Sequence, residues 1–242
     1  MKRKHQVSVI AHRGYNKKYP ENTLLSFKKA IDAGADYVEL DVRLTKDDEI
    51  VVIHDGNTIR TGDKGFKIEE TALKTLKQVD MGEGEKIPTL QEVFDLCKGK
   101  IGVQIEIKAE NMAQKVLDLI AENEMEDEVL LSSFKHKEMM DSKKINPDIL
   151  CATLEPSGMS AVKAVFLKKT FIKKAYRIKA DAVHPYHRYV NEKFCKIAHK
   201  FDILVNPWTV DRVSAWENLV KSGVDGIITN DPEGLIEYLE KL

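Results

Sequence analysis

Eight short apolar segments that alternate with helical stretches constrain the fold of this chain more than any other feature of its sequence. The apolar segments are rich in Val, Ile and Leu and lie at residues 7–11, 37–42, 101–107, 129–133, 149–154, 182–184, 203–207 and 226–229. Helical periodicity follows at residues 23–33, 112–123, 135–144, 192–200, 213–222 and 233–242. Strands that alternate with helices are parallel, and near-continuous apolar strands are buried on both faces. Because an open sheet would have more polar edge strands, eight such units predict an α/β fold of the closed TIM (β/α)8 barrel type.

The length and charge of the chain agree with one such barrel and exclude other classes of protein. The chain has 242 residues, and a barrel of this type has about 250, so we expect a single domain over residues 1–242. The formal net charge of −1 argues against a nucleic-acid partner, which requires a strongly basic face. No apolar run approaches the roughly 18–20 residues of a transmembrane segment. The basic start is followed by only a short apolar stretch, unlike a secretory signal.

Two segments interrupt the alternation. Residues 50–55 form a strand pattern that follows the second strand after only a short polar link, which is too short for a crossover helix and predicts a hairpin. Residues 56–87 are then polar and rich in Gly, Lys and Glu, and we expect a small insertion over one end of the barrel. Residues 155–179 are apolar and basic. They fit either a barrel helix with an irregular approach or a basic amphipathic surface.

The cysteines indicate a reducing compartment. Cys97, Cys151 and Cys195 are an odd number at wide spacing, without a CxxC pair or a Cys/His spacing typical of metal sites. Each lies beside apolar residues, so we expect reduced and buried thiols and a cytoplasmic location.

Acidic residues recur at the carboxyl ends of the predicted strands, where barrels gather their chemistry. Glu39 and Asp41 lie two residues apart and point to the same face of a strand, as do Glu106 and Lys108. Unpaired carboxylates inside a barrel are costly, so three of them need a positive partner. A divalent metal bound by oxygen ligands, Mg²⁺, Ca²⁺ or Mn²⁺ rather than zinc, satisfies this need. The alternative is that Lys108 and Arg13 neutralise the carboxylates as part of the barrel end.

Two histidines at strand ends are the candidates for acid/base chemistry. His12 precedes Arg13 and His54 precedes Asp55, and histidine both accepts and donates protons near neutral pH. His184 ends a strand, so it is a candidate for lining the pocket. The histidines expected to face solvent are His5, His136, His187 and His199.

Fixed positive charge next to the acids predicts a phosphate site. Arg13 and Lys108 combine with a metal into the arrangement that a phosphate group requires. The chain has no GxxxxGK[ST] or GxGxxG motif for nucleotides and no GxSxG motif of a serine hydrolase.

A series of motifs resembles one enzyme family over nearly the whole chain. The motifs are AHRG, PENT (20–23), ELDV (39–42), VIHD (52–55), IRTGDKG, IPTLQEVF, EIK (106–108), HP (184–185), WTV (208–210) and GIITNDPE. In this order they resemble the glycerophosphodiester phosphodiesterases. The resemblance implies a TIM barrel with a small insertion after the HD motif. The short insertion is similar to that of the compact cytosolic members.

The resemblance also implies an activity and a set of central residues. The activity is hydrolysis of glycerophosphodiesters, small-molecule substrates, to glycerol 3-phosphate and an alcohol. Glu39, Asp41 and Glu106 match the metal ligands of the family, with Mg²⁺ or Ca²⁺ as the ion. His12 and His54 match its paired general acid and base.

The substrate-binding positions implied by the resemblance are Arg13, Glu21, Asn22, Lys108, His184 and Trp208. Arg13 and Lys108 match the residues that hold the phosphate. Glu21 and Asn22 match the edge of the site, where Asn22 would contact the metal or the phosphate and Glu21 would fix Arg13. Trp208 and His184 match the alcohol end of the pocket. One departure is Asn230, where the family motif often has Asp, and we expect no loss of activity from it.

Several alternatives stay open from the sequence. A related phosphodiesterase acting on lysophospholipids or phosphoinositides would need an apolar mouth, which residues 161–179 could provide. A catalytically silent barrel that binds phosphodiesters is disfavoured by the intact histidines and carboxylates. The headgroup, the ion, the nucleophile (water or a substrate hydroxyl) and the oligomeric state are not specified, although residues 161–176 are where a dimer contact is expected. His12 is favoured as the base and His54 as the acid.

Overall fold

A ring of parallel strands forms the centre of the protein. The computed structural model describes residues 6–158 and 169–242. Its strands are β1 (Ser8–His12), β2 (Tyr37–Leu44), β3 (Ile50–Val52), β4 (Gly102–Ile107), β5 (Val129–Ser133), β6 (Leu150–Glu155), β7 (Ala182–Pro185), β8 (Leu204–Val205) and β9 (Gly226–Thr229). Eight of them pair in parallel in the order β8, β7, β6, β5, β4, β2, β1, β9. The ring closes where the Asp225 N–H donates to the Val205 carbonyl and the Ile228 N–H to the Pro207 carbonyl, each at 3.0 Å. The predicted TIM barrel is confirmed.

Helices surround this ring. They are α1 (Leu24–Asp32), α2 (Leu73–Leu76), α3 (Leu90–Cys97), α4 (Ala113–Glu122), α5 (His136–Ile145), α6 (Lys169–Arg177), α7 (Glu192–His199), α8 (Val213–Ser222) and α9 (Pro232–Leu239). The six predicted helices are confirmed within a few residues at each end. The sequence did not predict α3, which begins at Thr89 with a capping box: the Thr89 hydroxyl accepts from the Glu92 N–H, and the Glu92 carboxylate accepts from the Thr89 N–H.

The predicted hairpin is present and leads into the insertion. Strand β3 runs antiparallel to β2, with Val52 opposite Val42. It is shorter than the predicted 50–55: the strand ends at Val52, and the next residue, Ile53, still donates its N–H to the Asp41 carbonyl at 2.9 Å. Residues 56–87 carry α2 and a short 3₁₀ turn (Ile68–Glu70). A hydrophobic cluster under this insertion consists of Val51, Ile53, Ile68, Leu76, Val79, Met81 and Ile87.

The second irregular zone contains a barrel helix. Helix α6 buries Phe171, Ile172 and Ala175, so the barrel-helix interpretation holds for residues 169–177. Residues 159–168 lie outside the described residues. The apolar mouth (161–179) and the dimer contact (161–176) fall partly on them and stay predictions.

Two further expectations concern the core and the helices. All three cysteines are free and buried, as predicted, while the cytoplasmic location inferred from them stays a prediction. Of the helices in the described part of the chain, none combines the length and the hydropathy of a membrane span.

Gly14, two residues after the end of β1, lies very close to Ser26 of α1. Its φ is +80°, and a Cβ there would lie 2.3 Å from the Ser26 Oγ and 2.7 Å from the Ser26 carbonyl carbon. Gly34 has a similar φ of +85° but no heavy atom within 4 Å of such a Cβ. A side chain would therefore strain the backbone at both positions, but only at Gly14 would it also clash with neighbouring atoms.

We expect Gly34→Ala to lower the free energy of unfolding by about 1–2 kcal/mol from the left-handed backbone alone. Gly14→Ala adds overpacking of about 1–3 kcal/mol against α1. Urea unfolding of both variants measures the difference. Equal losses in the two variants would show that the close approach of Gly14 to Ser26 does not matter.

Candidate active site

A cavity opens at the carboxyl ends of the barrel strands, and most predicted site residues line it. The lining consists of His12, Arg13, Glu39, His54, Gln104, Glu106, Lys108, Phe134, Leu154, Trp208, Thr209 and Ile228. A larger cavity near the amino ends of the strands is lined by residues such as Ile10, Leu130 and Leu150, and none of the predicted site residues is in its lining. The predicted site residues therefore gather at the carboxyl end, where barrels of this type carry their active sites.

Three buried carboxylates converge at the floor of this cavity. Glu39 and Asp41 lie on β2, and parallel pairing places Asp41 beside Glu106 on β4. The three side chains each offer one oxygen, and these atoms lie within 4.8 Å of one another. Only 3%, 1% and 7% of the three residues is exposed. Among the described residues, they are the acidic group that could hold a metal ion.

The charges around the carboxylates are not balanced by protein groups alone. The Lys108 Nζ lies 2.8 Å from the Glu106 Oε1 and 3.3 Å from the Asp41 Oδ1. The Arg13 Nε lies 3.4 Å from the Asp41 Oδ2, and the Arg13 N–H donates to the Glu39 Oε2 at 2.9 Å. Both interpretations of the sequence are thus partly met, because the two cations do pair with the acids. Two cations leave one of the three negative charges without a counter-charge.

The pKa values show where this deficit falls. Burial and the neighbouring carboxylates raise the pKa of Glu39 well above its usual range. Burial and Asp41 raise the pKa of Glu106 to about 7. Burial also opposes ionisation of Asp41, but Lys108 and Arg13 outweigh it and lower the pKa of Asp41. A divalent cation fits this site, because it would supply the missing charge and prefers carboxylate oxygens.

Two residues of the PENT motif, Glu21 and Asn22, contact this cluster and its cation Arg13. The Asn22 Nδ2 donates to the Asp41 Oδ2 at 2.9 Å, and the Asp41 N–H donates to the Asn22 Oδ1 at 3.4 Å. Asn22 is 1% exposed, so it contacts a predicted metal ligand rather than the open cavity. The Glu21 Oε1 accepts from the Arg13 Nη1 at 2.9 Å, which is the contact expected of it.

His12 is oriented by a pair of residues near the end of the chain. Its Nδ1 lies 2.7 Å from the Asn230 Oδ1, and the Asn230 Nδ2 donates to the Asp211 Oδ2 at 2.6 Å. Because an ionised carboxylate only accepts, Asp211 fixes the Asn230 amide with its oxygen towards His12. The Nδ1 of His12 must then be the donor. Burial and the charge of Arg13 lower the pKa of His12 to about 4, so the ring is neutral at pH 7 and its Nε2 is free to accept.

His54 has a charged partner instead. Its Nδ1 lies 2.6 Å from the Asp55 Oδ1, and the Arg60 Nε donates to the Asp55 Oδ2 at 2.7 Å. Burial opposes ionisation of Asp55, but hydrogen bonds from Arg60 and His54 lower its pKa to about 2. Burial lowers the pKa of His54, while the Asp41 charge opposes this shift. The two histidines therefore differ in environment: His12 faces an amide and His54 a permanent anion.

Aromatic side chains form the opposite wall. Phe134 and Trp208 meet edge to face with ring centroids 5.5 Å apart, and the Trp208 Nε1 donates to the His184 carbonyl at 2.8 Å. Phe134 is 36% exposed. This wall gives the cavity one apolar side across from its charged floor.

The side chain of His184 does not reach this cavity, contrary to expectation. It is fully buried inside the barrel, with its Nδ1 3.3 Å from the Gln104 Nε2 and its Nε2 3.1 Å from the Asn206 Nδ2. The side chain of a strand residue points either inward or outward, and this one belongs to the interior layer below the site. Burial lowers the pKa of His184 to about 3. Its backbone carbonyl, not its ring, serves the site by holding Trp208.

Two histidines expected in solvent, His136 and His187, are only partly exposed, whereas His199 is exposed and His5 lies outside the described residues. His136 is half-buried, and its Nε2 lies 3.3 Å from the Leu154 carbonyl and 3.5 Å from the Glu155 Oε1. The prediction was wrong because nothing in the local sequence shows that β6 ends against the start of α5.

Three contributors to the site have no assigned role in the sequence. Asn230 and Asp211 orient His12, and Arg60 of the insertion contacts both Asp55 and Glu21. Asn230 was noted only as a departure from a motif, and Arg60 only as part of IRTGDKG. Their roles depend on contacts between distant segments, which the spacing of residues does not reveal.

Comparison with known proteins agrees with this geometry. A sequence model of the glycerophosphoryl diester phosphodiesterase family matches residues 12–234. A glycerophosphodiester phosphodiesterase of Caldanaerobacter subterraneus is 38% identical over 252 residues, which cover 96% of this chain and 98% of that protein. The glycerophosphodiester phosphodiesterase structure from Thermotoga maritima is 29% identical, with a TM-score of 0.81 and coverage of 96% and 98%. An Oleispira antarctica phosphodiesterase, solved with the product sn-glycerol-3-phosphate, is 25% identical, with a TM-score of 0.83 and coverage of 96% of both chains.

The carboxylate cluster predicts a cation-dependent gain in stability. At a concentration a hundred times its dissociation constant, Mg²⁺ or Ca²⁺ is expected to stabilise the protein by about 2.7 kcal/mol. For a domain of this size, that raises the melting temperature by roughly 5–10 °C. Thermal unfolding with EDTA and with each cation measures the shift.

The Glu39→Gln variant distinguishes binding of the cation at this site from a general effect of ionic strength on the melting temperature. The variant removes one repelling charge, so its melting temperature in EDTA should equal or exceed that of the wild type, while the cation-induced rise disappears. Glu217→Gln on the surface of α8 is the matched control and should retain the full rise. A cation-induced rise that persists in Glu39→Gln would contradict the proposed ligand set.

Proposed function

The chain belongs to the glycerophosphoryl diester phosphodiesterase family, and from this membership we propose that it hydrolyses glycerophosphodiesters to glycerol 3-phosphate and an alcohol. The names of its relatives and the product bound by the Oleispira antarctica enzyme support this reaction class. One observation carries the proposal. Glu39, Glu106, two cations and two histidines line a single cavity, and the Asp41 carboxylate lies within 4.8 Å of those of the two glutamates. These are the groups that a metal-assisted phosphodiester hydrolysis requires.

Glu39, Asp41 and Glu106 are proposed to hold a divalent cation, Mg²⁺ or Ca²⁺. Their three buried oxygens and the uncompensated charge support this role. When bound, such an ion acts as a Lewis acid on a phosphoryl oxygen. Asn22 keeps Asp41 in place for this purpose through its two hydrogen bonds.

Arg13 and Lys108 are proposed to bind the phosphate of the substrate. Both line the cavity, and both are held by carboxylates that fix the direction of their charge. Arg13 has a left-handed backbone, with φ of +53°, which turns the chain at the end of β1. Fixed cations of this kind stabilise the charge on a phosphodiester and on its transition state without reorganising.

His12 is proposed to be the general base. Its neutral ring donates from Nδ1 to Asn230, so the Nε2 lone pair can accept a proton from the nucleophile. That nucleophile is water or a hydroxyl of the glycerol group, and either one must lose a proton as the new bond to phosphorus forms and the bond to the leaving alkoxide breaks. If the glycerol hydroxyl attacks, a cyclic phosphate forms, and water must then open it to give glycerol 3-phosphate. The lowered pKa of His12 keeps the ring in the accepting form.

His54 is proposed to be the general acid. The Asp55 carboxylate accepts from its Nδ1 and stabilises the protonated ring, which can then deliver a proton to the leaving alkoxide. The contrast between an amide partner for His12 and a carboxylate partner for His54 separates the two roles. Trp208 and Phe134 are proposed to contact the alcohol that leaves.

Release of glycerol 3-phosphate from glycerophosphocholine tests the reaction. We expect turnover that EDTA abolishes and that Mg²⁺ or Ca²⁺ restores. Turnover of lysophosphatidylcholine or glycerophosphoinositol in place of glycerophosphocholine would indicate the related lipid-directed activity. Binding of glycerophosphocholine without turnover in any divalent ion would indicate a silent barrel and contradict the proposal.

Substitution of the histidines tests their separate roles. His12→Ala and His54→Ala should each lower kcat on glycerophosphocholine by about 10²–10⁴-fold. In a glycerophosphodiester of p-nitrophenol, the leaving group is p-nitrophenolate, a stable anion that needs no proton. His54→Ala should therefore lose much less activity on this substrate, whereas His12→Ala should lose about as much as before. Equal losses of His54→Ala on both substrates would exclude it as the acid.

A further inference from the structure

We propose that Arg60 of the insertion is a positioning residue that holds both the phosphate-binding Arg13 and the acid His54 in their working positions. The inference rests on the proposed function, because it assigns Arg60 a part in that reaction. Arg60 itself does not line the cavity, so it acts through other residues. It is 39 positions from Glu21 in the sequence, and only the folded insertion brings the two together.

The Arg60 guanidinium donates to two carboxylates at once, those of Glu21 and Asp55, and we call this arrangement the fork. Its Nη1 and Nη2 donate to the two oxygens of Glu21 at 2.8 and 2.7 Å. Its Nε donates to the Asp55 Oδ2 at 2.7 Å. A planar guanidinium can make these three bonds at once, whereas a lysine ammonium cannot match both acids in this geometry.

Each carboxylate passes this restraint to a different part of the site. The Glu21 Oε1 also accepts from the Arg13 Nη1 at 2.9 Å, so one oxygen bridges the two arginines. The second oxygen of Asp55, Oδ1, binds the His54 Nδ1 at 2.6 Å. Removal of Arg60 would leave Glu21 and Asp55 each with fewer partners, and both would gain freedom to move away from the site.

The fork is not needed to hold the insertion on the barrel. The insertion has its own hydrophobic cluster, which includes Val51 and Ile53 from the barrel hairpin as well as Leu76 and Val79. The Arg60 side chain is 48% exposed, and ion pairs at such exposure contribute little to stability. An arginine with three charged hydrogen bonds at this place is therefore better explained by the order that it imposes on Glu21 and Asp55.

The contact of Arg60 with Asp55 (the Asp55 arm) and its contact with Glu21 (the Glu21 arm) predict different kinetic effects. A residue with a merely structural role would not produce this pattern. Loss of the Asp55 arm weakens proton delivery by His54, so it matters for an alkoxide leaving group and not for p-nitrophenolate. Loss of the Glu21 arm loosens Arg13, so it raises KM for both substrates.

Steady-state kinetics of Arg60→Gln on the two substrates test the proposal, with the full chain and saturating Mg²⁺ or Ca²⁺. On glycerophosphocholine we expect kcat to fall by about 10–100-fold, the usual effect of removing a residue that supports a site from outside it. On the p-nitrophenyl diester the fall in kcat should be several-fold smaller, while KM rises for both. Arg60→Lys should recover part of the activity, since it keeps the charge and can reach one carboxylate.

Two controls complete the experiment. Arg177→Gln, at an exposed position of α6, should behave as the wild type, and the melting temperature of Arg60→Gln should stay close to the wild-type value. In an Asp55→Asn background, Arg60→Gln should no longer affect the two substrates differently, because the arm to His54 is already cut.

The outcomes separate the inference from the proposed function. Wild-type kinetics in Arg60→Gln, or an equal loss of kcat on both substrates with a lowered melting temperature, would overturn the positioning role while the wild type remains active. A wild type inactive on both substrates would instead overturn the proposed function, and the positioning role with it.

Discussion

Burial of three carboxylates side by side is the constraint on which the rest of this site depends. The register of β2 and β4 places Asp41 beside Glu106, and Glu39 is two residues away on the same face. Grouping like charges away from water is costly unless positive charge accompanies them. Arg13, just after β1, and Lys108, just after β4, supply two positive charges. Burial, together with the remaining negative charge, raises the pKa values of Glu39 and Glu106, and this uncompensated charge makes the floor of the cavity a place for a cation.

The barrel and the grouping of acidic residues could be predicted from the sequence, because both follow from the repeat of apolar and polar residues along single strands and helices. The apolar strands and their helices define the barrel, and residues two apart on a strand share a face, which groups Glu39 with Asp41 and Glu106 with Lys108. The prediction for His12 and His54 came instead from their places at the ends of strands. The direction of the His184 ring, by contrast, depends on the packing of the barrel interior against Gln104 and Asn206, and a strand end alone does not specify it.

The supporting residues could not be predicted, because each acts across a long stretch of chain. Asn230 is 218 positions from His12, and Arg60 is 39 positions from Glu21. Their types are ordinary for surface loops, and they acquire meaning only from the partner that the fold supplies. Asn230 illustrates this well: its amide, held by Asp211, determines which nitrogen of His12 carries the proton. A feature noted from the sequence as a small deviation therefore defines the tautomer of a proposed catalytic base.

The contact between His12 and Asn230 also has a consequence for the folding of the protein. His12 ends the first strand, and Asn230 directly follows the last strand, so they meet only when β9 docks against β1. Contacts between residues so far apart in the sequence carry a loop-closure entropy that many other contacts must offset. A chain that extends only as far as β8 carries all three carboxylates, but its His12 lacks the partner Asn230. The orientation of the His12 side chain therefore depends on the same pairing of β9 with β1 that closes the barrel.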